Sequence, residues 1–325
     1  MKGMTMAGRL EGKVAIVTGA GRGIGRGEAL GLASEGAAVV INDLGGSAAG
    51  EGADTTPAQD VANEITNSGG RAVVNTADVS DFDAAGAMVQ QALDEFGQLD
   101  ILVNNAGILR DRMVFNMTEE EWDIVLAVHL KGTFNTCKHA TVLMRQQRSG
   151  RIINTSSESG FGNPGQANYA AAKEGITGLT RAVAMAMARY GVTCNSIRPR
   201  AATRLTLSPE MEQAAAAAAA RGESRGGGDA SDGSPLGGMN PDVVGRFIAY
   251  LASDEAKNVT MGDFLVYGNE IASYTLPQVQ GRINSTGDEW TIDDVFEQFP
   301  KGLGKFFEQS LIVRAEEQAA KQAGG

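Results

Sequence analysis

The fold is decided by residues 13–36, which read KVAIVTGAGRGIGRGEALGLASEG. Residues 14–17 form a short apolar run of the kind that a buried parallel strand needs. A glycine-rich turn follows at once, with Gly19, Gly23, Ile24 and Gly25, and a helical pattern then continues to Gly36. Because glycine has no β-carbon, a ligand can approach this backbone closely. A strand, a glycine-rich turn and a helix N-terminus leave unpaired N–H groups, which predict a binding site for a diphosphate.

In the next stretch, AAVVINDLGG at residues 37–46, the predicted strand ends in an acidic residue, Asp43. A carboxylate there can accept hydrogen bonds from both ribose hydroxyls of NAD and would repel the 2′-phosphate of NADP. Arg22, just before Gly23, argues the other way, because a basic side chain could meet that phosphate. An arginine can turn into solvent, whereas a carboxylate facing a phosphate is strongly unfavourable. The sequence therefore predicts NAD as the cofactor.

Strands and helices alternate along the rest of the chain. The further strand-like stretches are RAVVNTADV (71–79), DILVNNAG (100–107), RIINTSS (151–157), VTCNSIRP (192–199) and DFLVYG (263–268). Helical patterns separate them, including long ones at residues 119–147 and 168–190. Seven strands separated by helices predict an α/β fold, a doubly wound parallel sheet with helices on both faces. Ligands of such sheets bind beyond the carboxyl ends of the strands, where Asp43, Asp78, Asn105 and Ser157 fall.

Three segments go beyond a minimal fold of this kind. Residues 45–57 are predicted to be a flexible loop that can lie over an adenosine. Residues 214–238 begin alanine-rich and become Gly/Ser-rich, which predicts a flexible insertion, either a substrate lid or a disordered segment without a role. We divide the chain into a flexible N-terminus (1–9), a core domain (10–271) and a C-terminal extension (272–325). The extension is amphipathic and carries aromatic residues, so we expect it to pack on the core or on a partner subunit.

Composition excludes several classes of protein and site. The 325 residues contain no run of about 20 apolar residues, and the N-terminus lacks a signal-peptide pattern. The C-terminal QAGG is not a peroxisomal address. Two cysteines suit a reducing compartment, two histidines cannot build a multi-histidine metal site, and a net charge of −11 argues against nucleic acid. The sequence predicts a cytoplasmic protein with a small-molecule substrate, and neither a metal site nor a membrane partner.

Tyr169 and Lys173 lie four residues apart in NYAAAKEGITGL. On a helix this spacing places both side chains on one face, so an ammonium can lie beside a phenol. Free tyrosine has a pKa of about 10, and a neighbouring positive charge favours the phenolate. The pair is therefore a candidate for general base chemistry with a lowered tyrosine pKa, although the spacing alone occurs by chance on many helices.

Together, TGAGRGIG, NNAG and YAAAK resemble, in order and spacing, the short-chain dehydrogenase/reductase family over residues 10–270. The resemblance implies a Rossmann-type sheet and hydride transfer to or from a nicotinamide ring. It implies that Ser157 holds the substrate oxygen, that Tyr169 exchanges its proton, and that Lys173 binds the nicotinamide ribose. The cofactor-binding residues that it implies are Gly19, Arg22, Gly23, Ile24, Gly25, Asp43, Asp78, Val79, Asn105, Ala106, Gly107, Tyr169, Lys173 and Thr203.

Two positions depart from the family pattern. His129, in VHLKG, stands where the family usually has an asparagine that anchors a water in the proton relay. A neutral imidazole can donate from one nitrogen and accept at the other, so His129 is either a relay residue or a histidine that packs the helix. The serine is also ambiguous, because counting back from Tyr169 gives Ser156 and counting along the strand gives Ser157. We choose Ser157, because a deletion in the next loop is easier than a register slip in a buried strand.

A narrower resemblance concerns NDLGG, NNAGILRDR, VHLKGTF and SSESG…GQANYAAAK. These stretches are similar to the (3R)-hydroxyacyl-CoA dehydrogenase domain of type-2 peroxisomal multifunctional enzymes, which also has the histidine. The resemblance implies oxidation of a (3R)-hydroxyacyl-CoA by NAD. The alternatives are a hydroxysteroid or other bulky-alcohol dehydrogenase and, from another class, a non-catalytic NAD(H)-binding protein.

Two further expectations concern partners. Arginines near the strand ends are candidates to meet the phosphates of CoA, namely Arg110, Arg112, Arg198, Arg200 and Arg204. The helix at residues 168–190 is apolar or small over more than one stripe, which exceeds one buried face. The alternatives are complete burial within the monomer and a subunit contact, and the family resemblance favours a homodimer or homotetramer.

Overall fold

The structure is a computed structural model that describes residues 8–200, 241–308 and 310–323. It divides into two compact units, Met1–Tyr274 and Thr275–Gly325. The expected insertion at 214–238 lies outside the described residues, as do Thr203 and Arg204. No helix in the described ranges is long and apolar enough to cross a membrane.

The described part of the first unit contains eight strands and seven α-helices. The strands are β1 Val14–Thr18, β2 Ala38–Asn42, β3 Arg71–Asn75, β4 Ile101–Asn104, β5 Gly150–Thr155, β6 Val192–Pro199, β7 Asp263–Tyr267 and β8 Glu270–Ser273. The helices are α1 Gly23–Ser34, α2 Thr56–Asn67, α3 Phe82–Phe96, α4 Glu119–Leu126, α5 Gly132–Gln147, α6 Ala167–Met187 and α7 Pro241–Ala252. The sheet order is β3-β2-β1-β4-β5-β6-β7-β8.

The first seven strands are parallel, which confirms the predicted doubly wound sheet. The chain moves outward from β1 to β3 and then crosses to β4, so the strand order reverses between β1 and β4. Such a reversal opens a crevice at the carboxyl ends of the strands, where ligands bind. The sheet gains an eighth strand that the sequence analysis did not predict, because β8 pairs antiparallel with β7 through a two-residue turn. Gly268 in this turn has a φ of 54°, which suits a tight hairpin.

Helices cover both faces of the sheet, and successive residues of a strand belong to opposite apolar layers. Val17 and Ile153 belong to the apolar layer that also contains side chains of α1 and α7. Ile16 and Ile152, their neighbours in the chain, belong to the opposite layer with side chains of α3 and α5. Each such fully buried side chain stabilises the fold by about 1.5–3 kcal/mol. The continuous apolar runs of the parallel strands are therefore explained by burial on both faces.

Helices α1 and α7 pack with their backbones in close approach. A β-carbon at Gly31 would lie 2.6 Å from the carbonyl oxygen of Gly245, and one at Gly27 would lie 2.8 Å from that of Pro241. Larger residues at these positions would push the two helices apart. The close packing leaves Glu28, the next residue of α1, fully buried.

The long helix predicted at residues 119–147 is α4 and α5, joined by a π-helical turn at Ala127–Lys131. The helix begins with a capping box in which Thr118 and Glu121 satisfy each other's backbone N–H groups. π-turns are rare and frequently mark functional sites. This turn carries His129.

The second unit contains two α-helices among its described residues, α8 Ile292–Lys301 and α9 Leu311–Ala323. A capping box of Thr291 and Asp294 begins α8. Apolar side chains remain exposed along both helices, including Phe296 and Leu311. That the extension packs on the core or on a partner subunit remains a prediction.

Candidate active site

A cavity of about 300 Å³ opens at the carboxyl ends of β1, β2 and β4. The predicted cofactor residues that line it are Gly19, Arg22, Gly23, Ile24, Asp43, Asp78, Val79, Asn105, Ala106 and Gly107. The loop at residues 45–57, which the sequence predicts to lie over an adenosine, contributes Gly46, Ser47 and Gly50 to the lining. Sequence reasoning missed Ile124 of α4 and Val128 of the π-turn, whose apolar side chains carry no motif.

The glycine turn has the geometry of an anion cradle. Gly19 and Gly23 adopt positive φ values of 64° and 56°, which other residues adopt at a conformational penalty. A β-carbon at Gly25 would lie 2.2 Å from the carbonyl oxygen of Gly19, so this glycine closes the turn rather than lining the cavity. Arg22 precedes α1 without a side-chain cap, and the first residues of the helix line the cavity. The uncapped helix N-terminus therefore fits a diphosphate.

Asp43 is held at the cavity by two backbone hydrogen bonds. Its carboxylate accepts from the N–H of Gly21 at 2.8 Å and from the N–H of Gly45 at 2.7 Å. Arg22, the residue that argued for NADP, lies 3.8 Å from the carboxylate of Asp54 in the loop at residues 45–57. The carboxylate is thus fixed in place, whereas the guanidinium has a partner on the surface.

Asn105 serves the turn as well as the cavity. Its side-chain amide donates to the carbonyl oxygens of Thr18 at 3.0 Å and Gly19 at 3.1 Å. The Thr18 hydroxyl in turn accepts from the backbone N–H groups of Asn105 and Ala106. These bonds join the end of β1 to the end of β4. Thr18 was not singled out from the sequence, although it directly precedes the glycine turn.

The residues Ser157, Tyr169 and Lys173 converge from β5 and α6. The Lys173 ammonium donates to the carbonyl oxygen of Thr155 at 2.7 Å and lies 5.3 Å from the centre of the Tyr169 ring. Ser157 begins a short 3-10 turn, Glu158–Phe161, and its hydroxyl accepts from the N–H of Ser159 at 3.2 Å. A hydrogen bond from Ser157 also acts to lower the pKa of Tyr169. The hydroxyl, phenol and ammonium therefore form one cluster.

The structure separates the two candidate serines. The hydroxyl of Ser156 is 2.8 Å from the carbonyl oxygen of Lys173 and 3.0 Å from the hydroxyl of Thr177. Ser156 is buried against α6 in this way, so its oxygen has its partners inside the fold. Ser157 instead lies at the start of the turn after β5, where a hydrogen bond from it acts to lower the pKa of Tyr169.

Burial dominates the charge states of the pair on α6. It raises the pKa of Tyr169 to about 12, against the lowering that the Ser157 hydrogen bond causes. It also lowers the pKa of Lys173 to about 7. The expectation that Lys173 lowers the tyrosine pKa is therefore wrong for the protein by itself. The physical reason is that burial disfavours the charged form of both groups, so it raises the pKa of the phenol and lowers the pKa of the lysine.

His129 reaches the site from the π-turn. Its Nε2 lies 3.0 Å from the backbone nitrogen of Ile108 and 2.8 Å from the carbonyl oxygen of that residue. The ring stands edge-on to Tyr169, with 5.1 Å between the ring centres. A β-carbon at Gly107 would lie 2.3 Å from the imidazole, so glycine is what admits the ring. Burial lowers the pKa of His129 to about 3, and its Nδ1 has no hydrogen-bond partner among the described residues.

Sequence reasoning missed Glu28. It lies on the buried stripe of α1, one turn after Ile24, and neither of its carboxyl oxygens has a hydrogen-bond partner in the described chain. Burial raises the pKa of Glu28 to about 8, and the positive charge of Lys173 lowers it in part. A single acidic residue on an otherwise apolar helical stripe was the available signal.

The four arginines of the expected CoA-phosphate cluster that the structure describes are all engaged in ion pairs. Arg110 pairs with Glu51, Arg112 with Glu121 and Arg200 with Glu158. Arg198 is fully buried and pairs with Asp263 and Glu174. Arg198 therefore cannot meet a phosphate without leaving its partners, and its inclusion in the cluster is wrong. Its position inside a strand that is otherwise uncharged marked it as unusual.

Comparison with known proteins shows what this chain is similar to. The family model for short chain dehydrogenases matches residues 13–213. A hydroxyacyl-CoA dehydrogenase of Mycobacterium tuberculosis is 41% identical over 299 residues, which are 86% of this chain and 85% of that protein. The peroxisomal multifunctional enzyme type 2 of Drosophila melanogaster is 50% identical over 199 residues, 61% of this chain and 33% of that enzyme. The crystal structure of a short chain dehydrogenase from Mycobacterium avium is 40% identical, has a TM-score of 0.75 and matches 92% of this chain and 96% of its own.

Proposed function

The chain belongs to the short-chain dehydrogenase family, and on that basis we propose that it interconverts a (3R)-hydroxyacyl-CoA and its 3-ketoacyl-CoA with NAD. Family membership makes it an oxidoreductase that acts on an alcohol with a nicotinamide cofactor. The observation that carries the proposal is the convergence of Ser157, Tyr169 and Lys173 next to the glycine-turn cavity. The acyl-CoA substrate is supported by the relatives named as hydroxyacyl-CoA dehydrogenase and multifunctional enzyme.

Tyr169 is the proposed general base. To accept the proton of the substrate hydroxyl, the phenol must first be deprotonated. Its raised pKa opposes that deprotonation, so a neighbouring group has to stabilise the phenolate. Lys173 lies close enough to supply a positive charge when protonated. Ser157 donates a hydrogen bond to the substrate oxygen as that oxygen becomes a carbonyl. A nicotinamide cofactor held by the residues of the glycine-turn cavity would supply the hydride acceptor.

His129 is proposed to complete the proton path. Its Nε2 lies within hydrogen-bond distance of both the N–H and the carbonyl oxygen of Ile108, whereas its Nδ1 is buried without a partner among the described residues in either tautomer. Buried polar atoms of this kind commonly bind an ordered water. Because the imidazole is neutral above a pH of about 3, it can hold that water without competing with Lys173 for charge. The helix-packing role remains the alternative, and both use the contact with Ile108.

We propose NAD rather than NADP because of Asp43. Both of its oxygens are held by backbone N–H groups, so the carboxylate cannot turn away from a 2′-phosphate. To make room for a 2′-phosphate, the Asp43 carboxylate would have to break two hydrogen bonds. In addition, Arg22 would have to leave Asp54 to reach the phosphate. Each of these changes opposes NADP.

The proposed active species is a homo-oligomer. On α6, Met185 is 75% exposed, and Gly178, Ala182 and Ala186 are also exposed. A smooth, largely apolar helix face of this kind is suited to a second copy. The extension at 272–325 is proposed to pack on the core domain at 10–271 or on a partner subunit.

The test is NADH production from (3R)- and (3S)-hydroxyacyl-CoAs of two chain lengths and from a hydroxysteroid, each with NAD and with NADP. Turnover of only the (3R)-acyl-CoA with NAD supports the proposal. Steroid turnover without acyl-CoA turnover would leave a bulky-alcohol dehydrogenase. Silence on the whole panel with tight NADH binding would favour the non-catalytic NAD(H)-binding alternative.

A further inference from the structure

Arg198 is the largest fully buried side chain of the described fold. It lies near the end of β6 and is the one charged residue of that strand. A buried guanidinium is tolerated only when ion pairs and hydrogen bonds compensate for the loss of water. Its partners therefore show which parts of the fold it holds together.

The guanidinium binds three separate elements. Its Nε donates to the two carboxylate oxygens of Asp263 in β7, at 3.0 and 2.9 Å. Its Nη2 donates to Glu174 at 2.9 Å and to Thr177 at 3.1 Å, both on α6. Its Nη1 donates to the backbone carbonyl oxygen of Ser157 at 2.5 Å. One rigid, planar group thus joins β7, α6 and the turn after β5.

Two of these elements carry the chemistry. Glu174 and Thr177 follow Lys173 on α6 by one and four residues, and Thr177 also contacts the hydroxyl of Ser156. The third contact is the carbonyl group of Ser157 itself. The guanidinium therefore sets the distance between the helix that carries the phenol and ammonium and the turn that carries the serine.

The 3-10 turn after Ser157 is shaped to meet the guanidinium. The ring of Phe161 stacks on it, with 4.1 Å between the guanidinium carbon and the ring centre. A β-carbon at Gly160 would lie 3.0 Å from its Nη1 and 2.9 Å from the carboxylate of Glu174. A side chain at Gly160 would therefore push the turn away from Arg198.

We infer that Arg198 is a positioning residue, which holds the Ser157 hydroxyl in register with Tyr169 and Lys173 across the junction of β5, β6 and α6. This inference rests on the proposed function, because it assigns Ser157 a part in the reaction. Arg198 itself touches neither the phenol nor the ammonium through any contact that the structure shows, so it acts through Ser157.

The experiment is a double-mutant cycle of Arg198→Lys with Ser157→Ala. Lysine keeps a positive charge for Asp263 but cannot bind all three elements at once, because it lacks the planar fork. We expect Arg198→Lys alone to lower kcat by about tenfold to a hundredfold, since a misplacement of about 1 Å costs that much. In the Ser157→Ala background it should lower kcat by less than about twofold, because residues that act as a unit are not additive. Equal losses in both backgrounds would overturn the inference.

A matched control is Arg151→Lys. Arg151 is also a buried, ion-paired arginine in a central strand, but it binds Asp254 and Ser253 at the opposite end of the sheet. It should lose stability without a change in kcat. If Arg198→Lys does not fold, Gly160→Ala tests the same contact from the turn, with the same expected dependence on Ser157. A fall in kcat that is equal with and without the Ser157 hydroxyl would again contradict the inference.

A second readout does not need the substrate. Arg198 holds the turn through the carbonyl oxygen of Ser157, so its replacement should move the Ser157 hydroxyl relative to Tyr169 and Lys173. Crystal structures of the wild type, Arg198→Lys and Arg151→Lys should show a displacement of about 1 Å at Ser157 in Arg198→Lys alone. An unchanged position of Ser157 in Arg198→Lys would refute the positioning role. If the wild type oxidises nothing in the panel, the proposed function fails while these structures still decide on Arg198.

Discussion

Replacement of Glu28 by glutamine should make the protein more stable, and increasingly so as the pH rises. Glu28 is fully buried on α1, and burial raises its pKa from 4.5 to about 8. Its carboxyl group therefore stays protonated in the folded protein at a pH at which it ionises in the unfolded chain. Stability from such a group is fully present below its unfolded pKa and is lost as the pH rises through its folded pKa. Glutamine has the same shape and does not titrate.

The magnitude follows from linkage between protonation and folding. One bound proton corresponds to about 1.4 kcal/mol in the free energy of unfolding for each pH unit. As the pH rises from about 5 to about 6.5, the free energy of unfolding of the wild type should therefore fall by about 2 kcal/mol because of Glu28. Glu28→Gln should not show this loss. The window ends below the pKa of about 7 of Lys173, which is charged throughout most of it. His129 titrates with the opposite sign, from about 3 folded to 6.5 unfolded, and cancels because both proteins contain it.

The assay is urea unfolding of both proteins at these two pH values, followed by circular dichroism. The matched control is Glu95→Gln at an exposed position of α3, which removes the same charge from the surface. Its stability relative to the wild type should change little between the two pH values. If Glu28→Gln and the wild type keep a constant difference across the window, Glu28 ionises in the fold as it does in water. That result would refute the assignment of a buried, neutral carboxyl group beside Lys173.

Four further predictions concern the proposed reaction and assembly. Tyr169→Phe should leave NADH binding nearly unchanged and lower kcat by about 10²-fold or more, because the general base is lost; single-turnover kinetics and fluorescence titration measure the two effects. Asp43→Asn removes the charge and keeps an acceptor for only one of the two backbone N–H groups, so the kcat/KM ratio of NAD over NADP should fall by about tenfold, or about 1.4 kcal/mol. His129→Asn should keep kcat within about threefold, whereas His129→Ala should lower it by about tenfold or more, because only asparagine can still hold a water. Met185→Glu should dissociate the oligomer, because a charge in the core of an apolar interface is unfavourable, and light scattering after gel filtration would show it.

Each of these has an outcome that contradicts it. Retained turnover in Tyr169→Phe would remove the tyrosine from the reaction, and an unchanged cofactor ratio in Asp43→Asn would remove the carboxylate from cofactor choice. Equal activity of the two His129 variants would leave the histidine with a packing role alone. An unchanged mass for Met185→Glu would show that this face of α6 lies outside any interface.

Local patterns predicted the frame of this protein well. The apolar runs of seven strands, the glycine turn and the Tyr169–Lys173 spacing depend on neighbours in the chain, and the sheet and the cavity confirm the first two. The eighth strand escaped prediction because Glu270–Ser273 is short and exposed, and only its pairing with β7 makes it a strand. The π-turn escaped for a similar reason, since a continuous helical pattern conceals one extra residue in a turn.

The sequence by itself determined the fold class, the phosphate turn, the acidic end of β2 and the tyrosine–lysine helix. Each of these depends on a pattern of residues that lie close together in the chain, within a few helical turns or one strand. Only the tertiary structure decided the charge state of Tyr169 and Lys173, because desolvation depends on every element that surrounds a group. It also separated Ser157 from Ser156 and took Arg198 out of the expected phosphate cluster. In both cases the deciding contacts join α6 to strands that are distant in the chain, and no local pattern contains the distance between them.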